Sequence, residues 1–85
     1  MPFAIVDPGE LLTDNLFFED KFLARIKDFD WMKYSGQKVL VRGCTSSLIP
    51  PWAFMVITAQ LIPYAASVRY GNEHDNILVY RKPKE

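Results

Sequence analysis

Between Phe18 and Phe29 the apolar residues return at helical spacing. Phe18, Phe22, Ile26 and Phe29 share one side with Leu23 beside them, while Glu19, Asp20, Lys21, Arg25, Lys27 and Asp28 occupy the other. This predicts an amphipathic surface helix, with acids leading and bases following as the helix dipole favours. Elsewhere the period falls to two. In Lys38-Val39-Leu40-Val41-Arg42, Val39 and Val41 take one face of a strand and Lys38, Leu40 and Arg42 the other. Ser67-Val68-Arg69-Tyr70 alternates again. Ile77-Leu78-Val79-Tyr80-Arg81 follows it across the polar loop Gly71-Asn72-Glu73-His74-Asp75-Asn76, so the two strands form a hairpin. Phe3-Ala4-Ile5-Val6 reads as a short strand between Pro2 and Pro8, with no sign of its place in a sheet. Asp7-Pro8-Gly9-Glu10 has the cap, proline and glutamate of a helix start, which Thr13-Asp14-Asn15 interrupts. Trp31 and Tyr34 fold back on the core, and Ser35-Gly36-Gln37 turns into the next strand.

One stretch fits neither an amphipathic helix nor a strand. From Pro51 to Ile62 only Thr58 and Gln60 are polar, and residues two apart on a helix are separated by about 200°. No solvent stripe results. Pro51 suits the first turn of a helix, Pro50 forces an extended approach, and Pro63 is expected to kink or end it. A helix that is apolar all round is normally buried on every side, yet a domain of this size buries only about two-thirds of its unfolded surface. Leaving three or four large apolar side chains in water forgoes about 1.5 to 3 kcal/mol each. That sum compares with the roughly 5 to 15 kcal/mol stability of a whole domain. The helix is therefore expected to meet a second chain, with Trp52 and Met55 as the leading interface residues and Phe54 and Ile62 beside them.

The strand at 38–42, the helix from Pro51 and the strand at 67–70 make a right-handed β-α-β crossover with parallel strands, and the hairpin adds an antiparallel partner. The expected fold class is α/β: a two-layer sandwich with a small mixed sheet of three or four strands and helices mainly on one face. The open face then carries Lys38, Arg42 and Arg69. All 85 residues are read as a single domain, and Lys82-Pro83-Lys84-Glu85 as a frayed tail.

Composition adds limits rather than a role. Hydrophobic content of 49% with 24% charged residues is that of a globular chain. The lone Cys44 has no partner for an intramolecular disulfide, which suits a reducing compartment. Neither a signal-like start nor an apolar run long enough for a bilayer is visible, so a soluble cytoplasmic protein is expected. A formal net charge of zero gives no global field toward nucleic acid or acidic membrane. The charges are nonetheless uneven: seven acidic and four basic residues lie in 1–34, against three acidic and six basic in 35–85. Opposite halves attract each other, within one chain or between two.

Asp30-Trp31 with Tyr34, Gly43-Cys44-Thr45-Ser46, Pro51-Trp52-Ala53-Phe54-Met55, Pro63-Tyr64-Ala65 and Val68-Arg69-Tyr70-Gly71, in this order and spacing, resemble a bacterial family known only as domain of unknown function 2480. The similarity runs from about Phe18 to Lys82 and leaves Met1 to Leu16 outside it. Members of that family tend to be longer and to carry a related strand-Gly-Cys-loop-Pro-helix-strand pattern twice, whereas this chain resembles one such unit. The resemblance implies a homodimer in which a second copy supplies the missing half. It brings no catalytic residues.

Five residues of the crossover loop, Gly43, Cys44, Thr45, Ser46 and Ser47, offer the sharpest chemistry. A thiol in a strand-to-helix loop can have its pKa lowered by backbone N–H groups and the helix dipole, which suits sulfur-carrier work, and the hydroxyls beside it suit a small anion. Against this, Cys44 is seven residues from Pro51, no second cysteine is present, and the segment lacks the glycines and lysine of a phosphate loop. A buried small thiol and hydroxyls satisfying their own loop is the commoner outcome. His74 between Glu73 and Asp75 reads as an exposed turn histidine, because consecutive residues cannot converge on one metal ion. Lys38, Arg42 and Arg69, with Tyr80 beside them, sketch a weak surface for single-stranded nucleic acid. No metal or cofactor is expected. The leading expectation is a non-catalytic, self-associating interaction module, followed by a thiol or anion site at Gly43 to Ser47, and then by the nucleic-acid face.

Overall fold

In the computed structural model, which describes residues 3–14, 16–43 and 49–83, the chain forms a four-stranded sheet in the order β1-β2-β3-β4. The strands are β1 (Ala4–Val6), β2 (Lys38–Arg42), β3 (Ser67–Gly71) and β4 (Asn76–Arg81), with helices α1 (Glu19–Asp28) and α2 (Pro51–Leu61). Strand β1 lies parallel to β2, with Ala4 opposite Val39 and Val6 opposite Val41. Strand β2 lies parallel to β3, and β4 returns antiparallel along β3. The fold is therefore the α/β sandwich that the periodicity predicts, with β1 placed at one edge.

Two successive crossovers step across the sheet in the same direction. When both have the usual hand, their helices fall on the same side. Both helices do share one core here: Phe22 and Ile26 of α1 and Ala53, Ile57 and Leu61 of α2 are buried with Val6, Val39, Val41 and Val68. Among the described residues, no helix packs on the opposite face of the sheet. Two 3-10 turns seal the helical layer. Pro8–Leu11 is started by Asp7, whose Oδ1 accepts from the Gly9 N–H at 3.0 Å. Trp31–Tyr34 buries both of its aromatic ends, and Trp31 Nε1 donates to the Ile26 carbonyl at 3.0 Å.

Two sequence expectations about α1 are corrected. Phe18 stands on the extended residue before the first turn and is exposed, with the Lys21 ammonium 5.0 Å from its ring centre. Phe17 packs against Phe22 instead, at 5.1 Å. Leu23 also faces solvent. At the other end of the chain, the Lys82 N–H donates to the Ala66 carbonyl at 2.9 Å, so the hairpin ladder runs one residue into the expected frayed tail.

An irregularity at Val68/Arg69 changes what β4 presents. Tyr80 is opposite Val68 and Leu78 is opposite Arg69, which leaves Val79 as an extra residue. A single inserted residue reverses the faces of everything beyond it. Tyr80 accordingly packs against the helical core, while Arg81, opposite Ser67, joins the open face. The expectation that Tyr80 lies beside the basic residues is thus overturned.

Candidate functional site

Helix α2 buries the stripe Ala53, Ile57 and Leu61 and leaves a second apolar stripe uncovered, as a helix without a hydrophilic side must. Met55 is 72% exposed, and Ile62 is exposed at the helix end. Thr58, one of the two polar residues, turns its hydroxyl back to the Phe54 carbonyl at 2.9 Å and gives the helix little polar surface. Between this stripe and β4 runs an apolar groove of about 460 Å³, lined by Pro51, Phe54, Met55, Ala59, Ile62 and Val79 among others. Val79 reaches this groove on the same side of the sheet as Ile77, two residues before it, and the bulge then keeps Tyr80 on that side as well. Ile77, opposite Tyr70 in the hairpin, is 70% exposed on the same side of the sheet.

Of the four expected interface residues, Met55, Phe54 and Ile62 line this groove. Trp52 does not. Its ring meets Phe17 and Phe22 edge-on at 5.5 and 5.8 Å, so it ties α2 to α1 within the chain. Ile77 and Val79 were not singled out by the sequence, since a run of four apolar and aromatic residues before Arg81 gives no sign of which ones stay uncovered. The groove adjoins an open edge: β4 is hydrogen-bonded to β3 on one side, and no described strand pairs with its other side.

Cys44, Thr45, Ser46 and Ser47 lie outside the described residues. Gly43 donates its N–H to the Gly71 carbonyl at 3.0 Å, so that donor is committed to β3 and is not free for an anion. His74 is exposed in the hairpin loop, where the Asn72 Oδ1 accepts from the N–H groups of His74 and Asp75, each at 2.8 Å. Among the described residues no group of three or more His, Cys, Asp or Glu side chains is placed to hold a metal ion.

On the open face the three expected cations diverge. Arg42 is paired with Glu73, Nε to Oε1 3.0 Å, and Arg69 donates to the Asn76 Oδ1 at 2.9 Å. Lys38 and Arg69 share a pocket of about 630 Å³ with Arg81, Lys82, Ser67 and Phe3, from which Arg42 is absent. Down the middle of this face Ile5, Leu40, Arg69 and Leu78 run in register across the four strands.

No helix among the described residues is long and apolar enough to cross a membrane. Comparison with curated proteins and with solved structures finds no match. The model of the family described as "Protein of unknown function (DUF2480)" matches residues 2–82. That match takes in the N-terminal segment that the sequence resemblance left out, in keeping with the place of β1 in the sheet. On this evidence the chain belongs to the DUF2480 family.

Proposed function

We propose that this protein is a non-catalytic, self-associating interaction module whose contact surface is the α2–β4 face. The observation that carries the reading is the apolar groove between α2 and β4, with Met55, Ile62 and Val79 exposed around it and Ile77 beside it. A surface of this kind marks an interaction site.

The occupant we assign is a second copy of the chain. An open strand edge takes another strand as its natural partner, and two copies of β4 related by a two-fold axis would pair with each other antiparallel. Such a contact is self-complementary. It extends the sheet to eight strands and brings the two α2 helices over the two grooves. The implication of the family resemblance, that longer members carry this unit twice, favours a copy of this chain over an unrelated partner. A lone cysteine favours the cytoplasm as the compartment.

The test is sedimentation equilibrium of the full chain at tens of micromolar, beside a Met55→Glu/Val79→Lys variant. Both changed side chains are exposed in the single chain, so the variant keeps its fold. The parent is expected at twice the chain mass and the variant at the chain mass. A parent that stays monomeric ends the proposal.

A further inference from the structure

We propose that the open face of the sheet holds a binding site for a small polyphosphate anion of the nucleoside di- or triphosphate class, centred between Lys38, Ser67, Arg69 and Arg81. Lys38, Ser67 and Arg81 are adjacent across β2, β3 and β4, with Lys38 opposite Ser67 and Ser67 opposite Arg81. Arg69 lies two residues along the same face of β3, and Lys82 completes the pocket. Four cations thus line one pocket of about 630 Å³ that contains no acidic residue, in a chain whose formal net charge is zero. The one ion pair among the described residues, Arg42 with Glu73, lies outside it.

Ser67 adds a hydroxyl to the cations. It lines the pocket between Lys38 and Arg81, where its hydroxyl is placed to donate to a phosphoryl oxygen. Two guanidinium groups give the forked donors that phosphate accepts in pairs, and the lysines add point charges. The pocket lies within the roughly 300 to 1,000 Å³ range of small-molecule sites, and Phe3 gives it an apolar wall for a ring.

A single-stranded nucleic acid would need a row of aromatic platforms. With Tyr80 turned to the core and Ile5, Leu40 and Leu78 across the middle of the sheet, the face offers Phe3 alone. A compact ligand with several charges matches it better.

The experiment is titration of the full chain with ATP, with inorganic tripolyphosphate and with an oligothymidylate. Binding is followed by calorimetry and by amide chemical shifts at low and moderate salt. Saturable binding of ATP is expected, shifting the amides of Lys38, Ser67, Arg69 and Arg81 and weakening as salt rises. Arg81→Ala and Lys38→Ala, both at exposed positions, should each weaken it by at least about fivefold. Tripolyphosphate shifting the same amides assigns the contact to the phosphates. Met55→Glu should leave ATP binding unchanged, so this result stands apart from the outcome for self-association. Absence of saturable ATP binding overturns the proposal, as does binding indifferent to Arg81→Ala and Lys38→Ala. Oligothymidylate binding more tightly than ATP and displacing it also overturns it, in favour of a nucleic-acid face.

Discussion

The ring of Tyr70 fills the space in which a side chain at position 43 would begin: a Cβ on Gly43 would lie 2.8 Å from the Tyr70 Cζ and from its hydroxyl oxygen. Phe54 of α2 meets the same ring nearly edge-on at 5.2 Å, so the ring cannot swing aside freely. Gly43 is thus explained by packing at the end of β2. Gly43→Ala should destabilise the chain by about 1 to 3 kcal/mol, the usual range for overpacking. Urea unfolding of Gly43→Ala, Tyr70→Leu and the double variant checks this. The double variant should lose less than the sum of the singles, because the overlap disappears with the ring.

Leu40 and Leu23 exchange the roles that their patterns suggest. Leu40 shares a face with Lys38 and Arg42 yet is fully buried, whereas Leu23 sits beside the apolar side of α1 and is exposed. Leu40→Ala should destabilise by about 2 to 5 kcal/mol. Leu23→Ala should change stability by no more than about 1 kcal/mol. Thermal or denaturant melts of the pair decide it.

Trp52 and Met55 separate stability from association. Trp52 joins α2 to α1 through Phe17 and Phe22, so Trp52→Ala should lower stability by about 2 to 4 kcal/mol, somewhat below the value for a fully buried tryptophan. Met55→Ala should leave the unfolding midpoint of the separated chain nearly unchanged and weaken the dimer. Unfolding curves taken at several protein concentrations distinguish the two, because only an effect on association depends on concentration.

The hairpin loop gives a further contrast. Glu73→Gln removes the partly exposed pair with Arg42 and should alter stability by less than about 1 kcal/mol. Gly71 has φ +139°, and a Cβ there would meet the Asp75 carbonyl oxygen and the backbone of Asn76. Gly71→Ala should therefore destabilise more than Glu73→Gln does, by over about 2 kcal/mol, through strain and overlap together. Chemical denaturation of both variants in one buffer makes the comparison.

What could be read from the sequence was whatever repeats with a period. Strand β2, helix α1 and the hairpin announce themselves by alternation or by helical spacing, and Pro51 and Pro63 bracket α2 because proline acts through its own backbone. The bulge at Val68/Arg69 carries no such signal. One extra residue alters neither composition nor hydrophobicity, yet it sends Tyr80 inward and Arg81 outward, which remakes the open face. The place of Trp52 was hidden for a related reason: in a helix apolar all round, sequence does not say which apolar side meets the neighbouring helix. The groove was therefore half legible, through Met55, Phe54 and Ile62, while Val79 and Ile77 came from the fold.

The most direct test of the central claim is the mass of the full chain in solution as a function of concentration. Sedimentation equilibrium should give a dimer at tens of micromolar. The Met55→Glu/Val79→Lys variant should raise the dissociation constant by at least about tenfold, equivalent to roughly 1.4 kcal/mol, with its circular dichroism unchanged. A chain that remains monomeric at every concentration, or a dimer that ignores both substitutions, would contradict the assignment of the α2–β4 face.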